Sequence, residues 1–345
     1  MATLTQNYQT LYDLAQETDK SGTLLPVIEM MTQANAILKD MPFIACNSGT
    51  DHKAVIRSGI PEGVCRKLYG GVPMERSHKI AVTDTTCMLE SYSEVDKTVA
   101  RRSGNPDVYR LREAKAFIEG MSQKMARIMF YGDLDKNPEE INGLCHRYNE
   151  YGTDKDKSTY NVINGGGTTA NKEASIWLFN FAEDYITGLY PTGANSKIGV
   201  THEPLGEHTK TYIDPADSKE KGYQVLRDHF VAEFGVHVAD WRRVVRIANV
   251  DTDKFGSSGA PDLMALMRKA TYRIPGATTK NTTGRLAWYM NGDVMEELER
   301  QYFATTQMQL VPENAAGEVL AKYRNIPIGL VEQLMNTETV VSAAA

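Results

Sequence analysis

Long apolar runs are missing from this 345-residue sequence. Its most apolar stretch, 176–190, is broken by Glu183 and Asp184, short of the ~20 apolar residues that a membrane-spanning helix needs. Met1-Ala2-Thr3-Leu4 carries no basic region leading into an apolar one, so no secretion signal is expected. A surplus of positive charge is missing too. Against 38 Lys and Arg stand 44 Asp and Glu, a net of −6, which gives no general field for nucleic acid or an anionic membrane. Cysteine is scarce: Cys46, Cys65, Cys87 and Cys145 stand singly. That excludes a Cys-x-x-Cys zinc site and a dense disulfide framework, and predicts free thiols in a reducing compartment.

Catalytic signatures are equally wanting. Gly165-Gly166-Gly167 is followed by no Gly-Lys-Ser/Thr and lacks the Gly-x-Gly-x-x-Gly spacing, so it reads as a tight turn. His202 and His208 lie six apart across Pro204 and Gly206, where a zinc pair on one helical face needs four, and a polar loop is expected there. Asp251-Thr252-Asp253-Lys254-Phe255-Gly256 begins like a calcium loop but has Phe255 at a ligand position and Asp262 at the twelfth. The run from Asp133 to Pro138 fails at the glycine, and both segments read as turns. Glu94 and Asp96 read as ordinary surface acids. Cys145 and His146 are neighbours that would point apart in a strand. No Gly-x-Ser-x-Gly elbow occurs. No catalytic, cofactor-binding or metal residue is assigned. An enzyme would have to gather its site from dispersed groups such as His202, His208, Asp228 and His229.

What is present is globular: 41% hydrophobic and 24% charged residues, without a repeat or a low-complexity linker. Fifteen methionines against nine phenylalanines suit surfaces that repack, besides ordinary core filling. Leu4, Leu11, Leu14 and Ala15 mark one short helix, and a second opens at Pro26 and runs through Ile37 and Leu38. From Phe43 to about Ala100 the pattern becomes a hairpin poor in large apolar residues. Strands are predicted at 54–57, 64–69 and from Ile80, around turn signals at Gly59, Pro61, Gly63 and Gly70-Gly71. Arg57, Arg66, Lys67, Arg76 and Lys79 sit on it. Such a hairpin is marginal alone, so it is either a loose surface loop or an arm resting on another subunit.

The clearest element is a helix over 107–131. Asn105 suits its cap, Pro106 its first turn, Asp107 its positive end and Gly132 its stop. Val108, Leu111, Ala114, Phe117, Ile118, Met121, Met125, Ile128 and Met129 supply its apolar side. Strands are predicted at 176–179, 241–247 and 285–290, and helices from about 258 to Pro275 and after Asn291. A terminal strand pair is predicted from 326–328 and 340–341. The fold class is α+β with intermingled subdomains.

Residues 4–15, from Leu4-Thr5-Gln6-Asn7-Tyr8 to Leu14-Ala15, resemble the start of major capsid proteins of short-tailed, epsilon15-like and Bordetella-phage-like bacteriophages. Blocks at 88–97, 161–178, 223–230 and 240–250 resemble the same group, in order. The resemblance implies the HK97-like fold. Its parts would be an N-terminal arm (1–42), an extended hairpin or E-loop with flanking strands (43–100), and a peripheral-domain spine helix (101–135). An axial domain (136–284) and a return to the peripheral domain with C-terminal strands (285–345) would follow. It further implies hexamers and pentamers in an icosahedral head enclosing double-stranded DNA, assembled in the host cytoplasm. Portal, scaffolding and cement or decoration proteins would be partners, and DNA would be held without sequence-specific contacts, with no membrane and no cofactor. Arg57, Arg66, Lys67, Arg76 and Lys79 become expected inter-subunit contacts. The chain departs from relatives with a long helical N-terminal extension, so a separate scaffolding protein is expected, and no lysine–asparagine crosslink is assigned. A cellular nanocompartment shell of the same fold is the alternative, with the dispersed-site enzyme as the alternative of another class.

Overall fold

The computed structural model describes residues 35–59, 61–102, 104–193, 199–213, 219–277, 284–304 and 322–344. The helix expected at 4–15 and most of the one from Pro26 lie outside them; the end of the second is α1 (Ala36–Asp40). There follow β1 (Phe43–Ala45), β2 (Asp51–Gly59), β3 (His78–Asp96), α2 (Lys97–Arg102), α3 (Pro106–Tyr131), α4 (Leu144–Arg147), β4 (Glu150–Tyr151), β5 (Val162–Asn164) and β6 (Glu173–Phe181). The chain continues through β7 (Ile186–Tyr190), β8 (Val200–Ile213), β9 (Glu220–Val238), β10 (Val244–Asp251), α5 (Leu263–Arg273), β11 (Arg285–Met290), α6 (Gly292–Ala304), β12 (Lys322–Tyr323), β13 (Ile326–Leu330) and β14 (Ser342–Ala343). Two compact units result. The smaller holds 88–124 and 199–232; the larger holds the described residues of 34–87, 125–198 and 233–345.

The larger unit is built on a six-stranded sheet in the order β12-β13-β11-β6-β10-β5. β6 runs antiparallel to both β10 and β11, and every residue of β6 and β10 is buried. Strands covered on both faces read as unbroken apolar runs, which is why 176–179 was legible. The period of two splits β6 cleanly. Ile176 and Leu178 join Leu263, Met267 and Ala270 of α5 and Val294 and Leu298 of α6 in one cluster. On the other face Trp177 stacks on Phe179 at 5.7 Å, with Phe130 and Phe181 against them. Truncating one such buried aromatic ring costs about 3–5 kcal/mol. This unit also holds β1, β2, β7 and residues 78–87 of β3 and 233–238 of β9, from a second sheet in the order β1-β7-β9-β3-β2.

One charged group crosses the aromatic layer. The Arg246 guanidinium donates to Glu338 (2.7 Å), to Ser175 Oγ (3.0 Å) and to the Tyr148 carbonyl (2.7 Å), with its carbon 5.4 Å from the centre of the Trp177 ring. Tyr131 donates to the other Glu338 oxygen. Both charged side chains are only 4% exposed, so the pair survives burial because nearly every lone pair and proton has a partner. The network ties the C-terminal segment to the end of α3 and to the central strands.

α3 begins as its residues dictate. The Asn105 side chain accepts the Asp107 and Val108 N–H groups. It ends at Gly132, whose N–H bonds the Ile128 carbonyl, and a Cβ there would lie 2.4 Å from the Ile141 carbonyl oxygen. Asp262 caps α5 through the Ala265 N–H, and Asn291 caps α6 through the Val294 N–H.

Five local expectations need correction. Residues 64–69 form no strand. The whole of 61–77 is irregular, since among the described residues no neighbouring strand pairs with it and its apolar residues have no face to bury. Residues 241–243 form a 3-10 turn because the Asp240 carboxylate takes the Arg242 N–H and both guanidinium groups, so the strand starts at Val244. The two C-terminal segments do not pair with each other. β13 lies parallel to β11, and β14 lies parallel to β4, because the Asn249 amide grips the Val341 N–H and carbonyl. The stretch from His202 to His208 is no loop but part of β8, an edge strand that accommodates Pro204 at a bulge next to Gly206. In addition, Cys145 and His146 sit in the short helix α4, not in a strand.

Candidate assembly surfaces

β2 and the start of β3 form an antiparallel ladder from Asp51↔Thr85 to Gly59↔His78. Beyond it the chain runs free through 61–77, where every residue is exposed except half-buried Ser77. A small turn holds the tip: the Gly70 N–H reaches the Lys67 carbonyl at 3.1 Å, and Tyr69 takes a left-handed φ of +64°. The Gly63 N–H meets Glu75 across the loop at 3.4 Å. Leu68, Tyr69 and Met74 stand almost wholly in solvent, with Val64 and Val72 more than half exposed. Large apolar groups grouped in this way mark surfaces that another body covers.

The basic residues singled out from sequence are distributed along this limb. Arg66, Lys67 and Arg76 lie in the free loop, and Lys79 on β3, all exposed. Arg57 is placed by its backbone on β2, in register with Lys79; its side chain lies outside the described part. Among the described residues no ion pair engages Arg66, Lys67, Arg76 or Lys79. The structure therefore brings the five onto one limb without neutralising the four side chains it describes.

The smaller unit presents a different surface. β8 and β9 form a long antiparallel pair, stitched to α3 and to 88–96 of β3 by charge. Glu94 accepts Arg227 at 2.9 Å and also binds Lys210. Arg110 forks onto Asp228 with bonds of 3.0 and 2.6 Å, and His202 approaches the same carboxylate at 2.8 Å. Burial alone would raise the Asp228 carboxyl, but the bonds from Arg110 and His202 outweigh it and hold the group below the usual range. Glu94 is likewise held low by Lys210 and Arg227 against its burial. His202, Phe230 and Phe117 stack ring on ring at 4.9 and 5.5 Å. Phe117 then lines a groove of about 450 Å³ with Leu89, Ala116, Gly120 and Met121. On α3, Val108, Leu111 and Ile118 are exposed, Leu111 by 60%. The sequence reading put these three on the buried stripe. The missed signal was an apolar set too wide for one helical face.

The dispersed residues of the enzyme alternative do not gather into one site. Asp228 and His202 meet, but Arg110 occupies the carboxylate in the bidentate manner of a structural pair. His229 instead stacks on Tyr92 at 4.3 Å and faces Glu90 at 3.5 Å. Elsewhere Asp133, Asp135 and His146 place ligand-type atoms within 4.8 Å of one another. There Asp133 receives the Lys136 ammonium at 2.9 Å and the Asp135 N–H, as a turn requires. Asp251 caps its own 3-10 turn and takes Lys254 at 2.8 Å.

The larger unit carries a limb with exposed apolar and basic side chains, and α3 leaves further apolar residues exposed; surfaces of this kind are typical of chains that associate. The family model of the major capsid protein GP7 matches residues 19–342, and the chain belongs to that family. It is similar to a chain of the solved bacteriophage epsilon15 structure, with 29% identity over 99% of each chain and a TM-score of 0.72. Weaker likenesses are the capsid of bacteriophage JBD30 (11% identity, 88% of this chain and 92% of that one, TM-score 0.48) and the holo-SrpI encapsulin of Synechococcus elongatus (9%, 71% and 97%, 0.35). Comparison with curated protein sequences gives no match. The fold is the HK97-like capsid fold, and the protein is a structural component of a phage capsid that assembles with copies of itself, not an enzyme.

Proposed function

We propose that identical copies form the hexamers and pentamers of an icosahedral head around double-stranded DNA, and that the limb at 51–83 lies on a neighbouring copy. The observation that carries this is the 61–77 loop: it has apolar side chains but nothing of its own to bury them against. In this reading Leu68, Tyr69 and Met74 supply the apolar contact. Arg57, Arg66, Lys67, Arg76 and Lys79 meet acidic groups at the rim, where charge sets register and partner choice more than affinity. In a closed shell every such contact is made by one copy and received by another.

The parts assigned from the resemblance fit this scheme: arm 1–42, hairpin 43–100, spine helix 101–135, axial domain 136–284 and return segment 285–345. Portal, scaffolding and cement proteins complete the partner set, assembly takes place in the host cytoplasm, and a net charge of −6 suits a wall that leaves the genome unbound. The test is deletion of 62–78, followed by sedimentation and negative-stain microscopy. The shortened chain is expected to stay soluble and folded but to form no closed shells. Wholesale insolubility, or particles like those of the parent, would contradict the proposal.

A further inference from the structure

Among the acids of the larger unit Glu173 is out of place. It opens β6, is wholly buried, and faces Asp251 of β10 directly across the antiparallel register. Like charges at directly opposed positions repel, and more so without water. The two carboxyl groups are served unequally. Asp251 accepts Lys254 at 2.8 Å, the Asp253 N–H at 3.1 Å and the Thr169 hydroxyl at 3.4 Å. Glu173 accepts one bond to Oε1, from the Thr169 N–H at 2.9 Å, while Oε2 has no partner among the described residues. A Cβ on Gly167 would lie 2.0 Å from Oε2, so the glycine loop wraps directly onto the carboxyl group.

The other charges nearby are already engaged. Lys172 reaches Asp253, Lys254 holds Asp251, and the Glu338 carboxylate is taken by Arg246, Ser175 and Tyr131. Among these groups Lys254 is the cation whose charge also reaches Glu173, but its hydrogen bond goes to Asp251. We propose that Glu173 keeps its proton in the folded chain and that this neutral state acts as a latch on one corner of the larger unit by removing the repulsion between Glu173 and Asp251. The corner consists of the Gly165–Gly167 turn and the C-terminal segment, which is joined through the Glu338 N–H to the Glu173 carbonyl at 2.9 Å. Burial raises the Glu173 carboxyl above its ordinary range; the Thr169 N–H and the Lys254 ammonium oppose this, and the Asp251 and Glu338 charges add to the rise. The sign follows from linkage. A carboxyl raised on folding contributes stability that is complete below its unfolded pKa of about 4.3 and is lost as pH rises through the folded value, by up to about tenfold in the folding constant per pH unit.

The test uses the full-length chain and its Glu173→Gln variant. Infrared spectra of the parent at neutral pH should contain the carbonyl band of a protonated carboxylic acid, absent from Glu173→Gln. The urea midpoint of the parent should fall as pH rises above about 4.3, with a smaller fall in the variant. If the variant does not fold, the parent spectra decide: a band that fades as pH rises supports the latch, and the absence of any band overturns it. Equal alkaline decline in both proteins also overturns it, as does a stability that collapses on adding a chelator, which would put a metal ion in the proton's place.

Discussion

The two units are held by different forces. The larger has a continuous apolar layer between β6, β10 and β11 on one side and α5 and α6 on the other. Among its described residues the smaller has a cluster of Val95, Val99, Ala100 and Tyr109 with Leu226 against it and the Phe117–Phe230 stack, and Glu94, Arg110 and Asp228 fix its strands. Hydrophobic burial is non-directional and scales with area, whereas a largely buried ion pair loses much of its attraction to desolvation and fixes geometry instead. The contrast teaches that the larger unit is organised around an apolar layer, while in the smaller one charge fixes the strands and apolar residues of α3 stay exposed.

The largest effect that would break this comparison lies in the larger unit. Arg246→Met removes the one cation of the buried network and strands Glu338 without a counter-charge. Breaking a buried pair in this way costs about 3–5 kcal/mol, read as a lowered urea midpoint of the whole chain. A loss below about 1 kcal/mol would mean that the network is incidental to the core.

Next comes the smaller unit. Asp228→Asn leaves Arg110 and His202 without their carboxylate, and the lost charged hydrogen bonds are worth about 2 kcal/mol, read by hydrogen exchange along β8 and β9. Acid should act similarly. Asp228 and Glu94 are both held below their unfolded values, so their contribution is present above about pH 4 and lost as pH falls through the folded values. β8 and β9 should therefore open in acid before β6 and β10 do. Asp84 of the larger unit, which His237 and Arg147 hold low despite its burial, titrates in the same sense but beside a far larger apolar core. Simultaneous opening of all four strands would erase the distinction between the units.

What could be read in advance follows the same division. β6, α3, α5, β11 and the cap of α6 were legible because they depend on local pattern: a continuous apolar run, helical spacing, an Asn or Asp placed to accept an N–H. The limb was legible as a segment too poor in apolar residues to stand alone. Contacts between distant residues were not. Glu94 and Arg227 lie 133 positions apart and Arg246 and Glu338 lie 92 apart, and nothing local to either residue announces the other. The same reason explains the mistaken C-terminal pair, since the partner that holds Val341 is the side chain of Asn249, itself at a left-handed φ of +57°.

The smallest expected effect on the isolated chain is also the sharpest probe of the comparison. Leu111 faces solvent on α3, and Gln has nearly the helix propensity of Leu. Leu111→Gln should therefore leave the stability of the unassembled chain within about 0.5 kcal/mol of the parent, as surface changes do. Its effect should appear only when chains meet, as slower or incomplete shell formation followed by light scattering. The two readouts separate two explanations for an exposed leucine. If it packs inside its own chain, the urea midpoint falls and assembly falls with it. If it is covered by a neighbouring copy, assembly falls alone. A variant that changes neither would remove α3 from the shell contacts and leave the limb as the remaining candidate surface for covering a second copy.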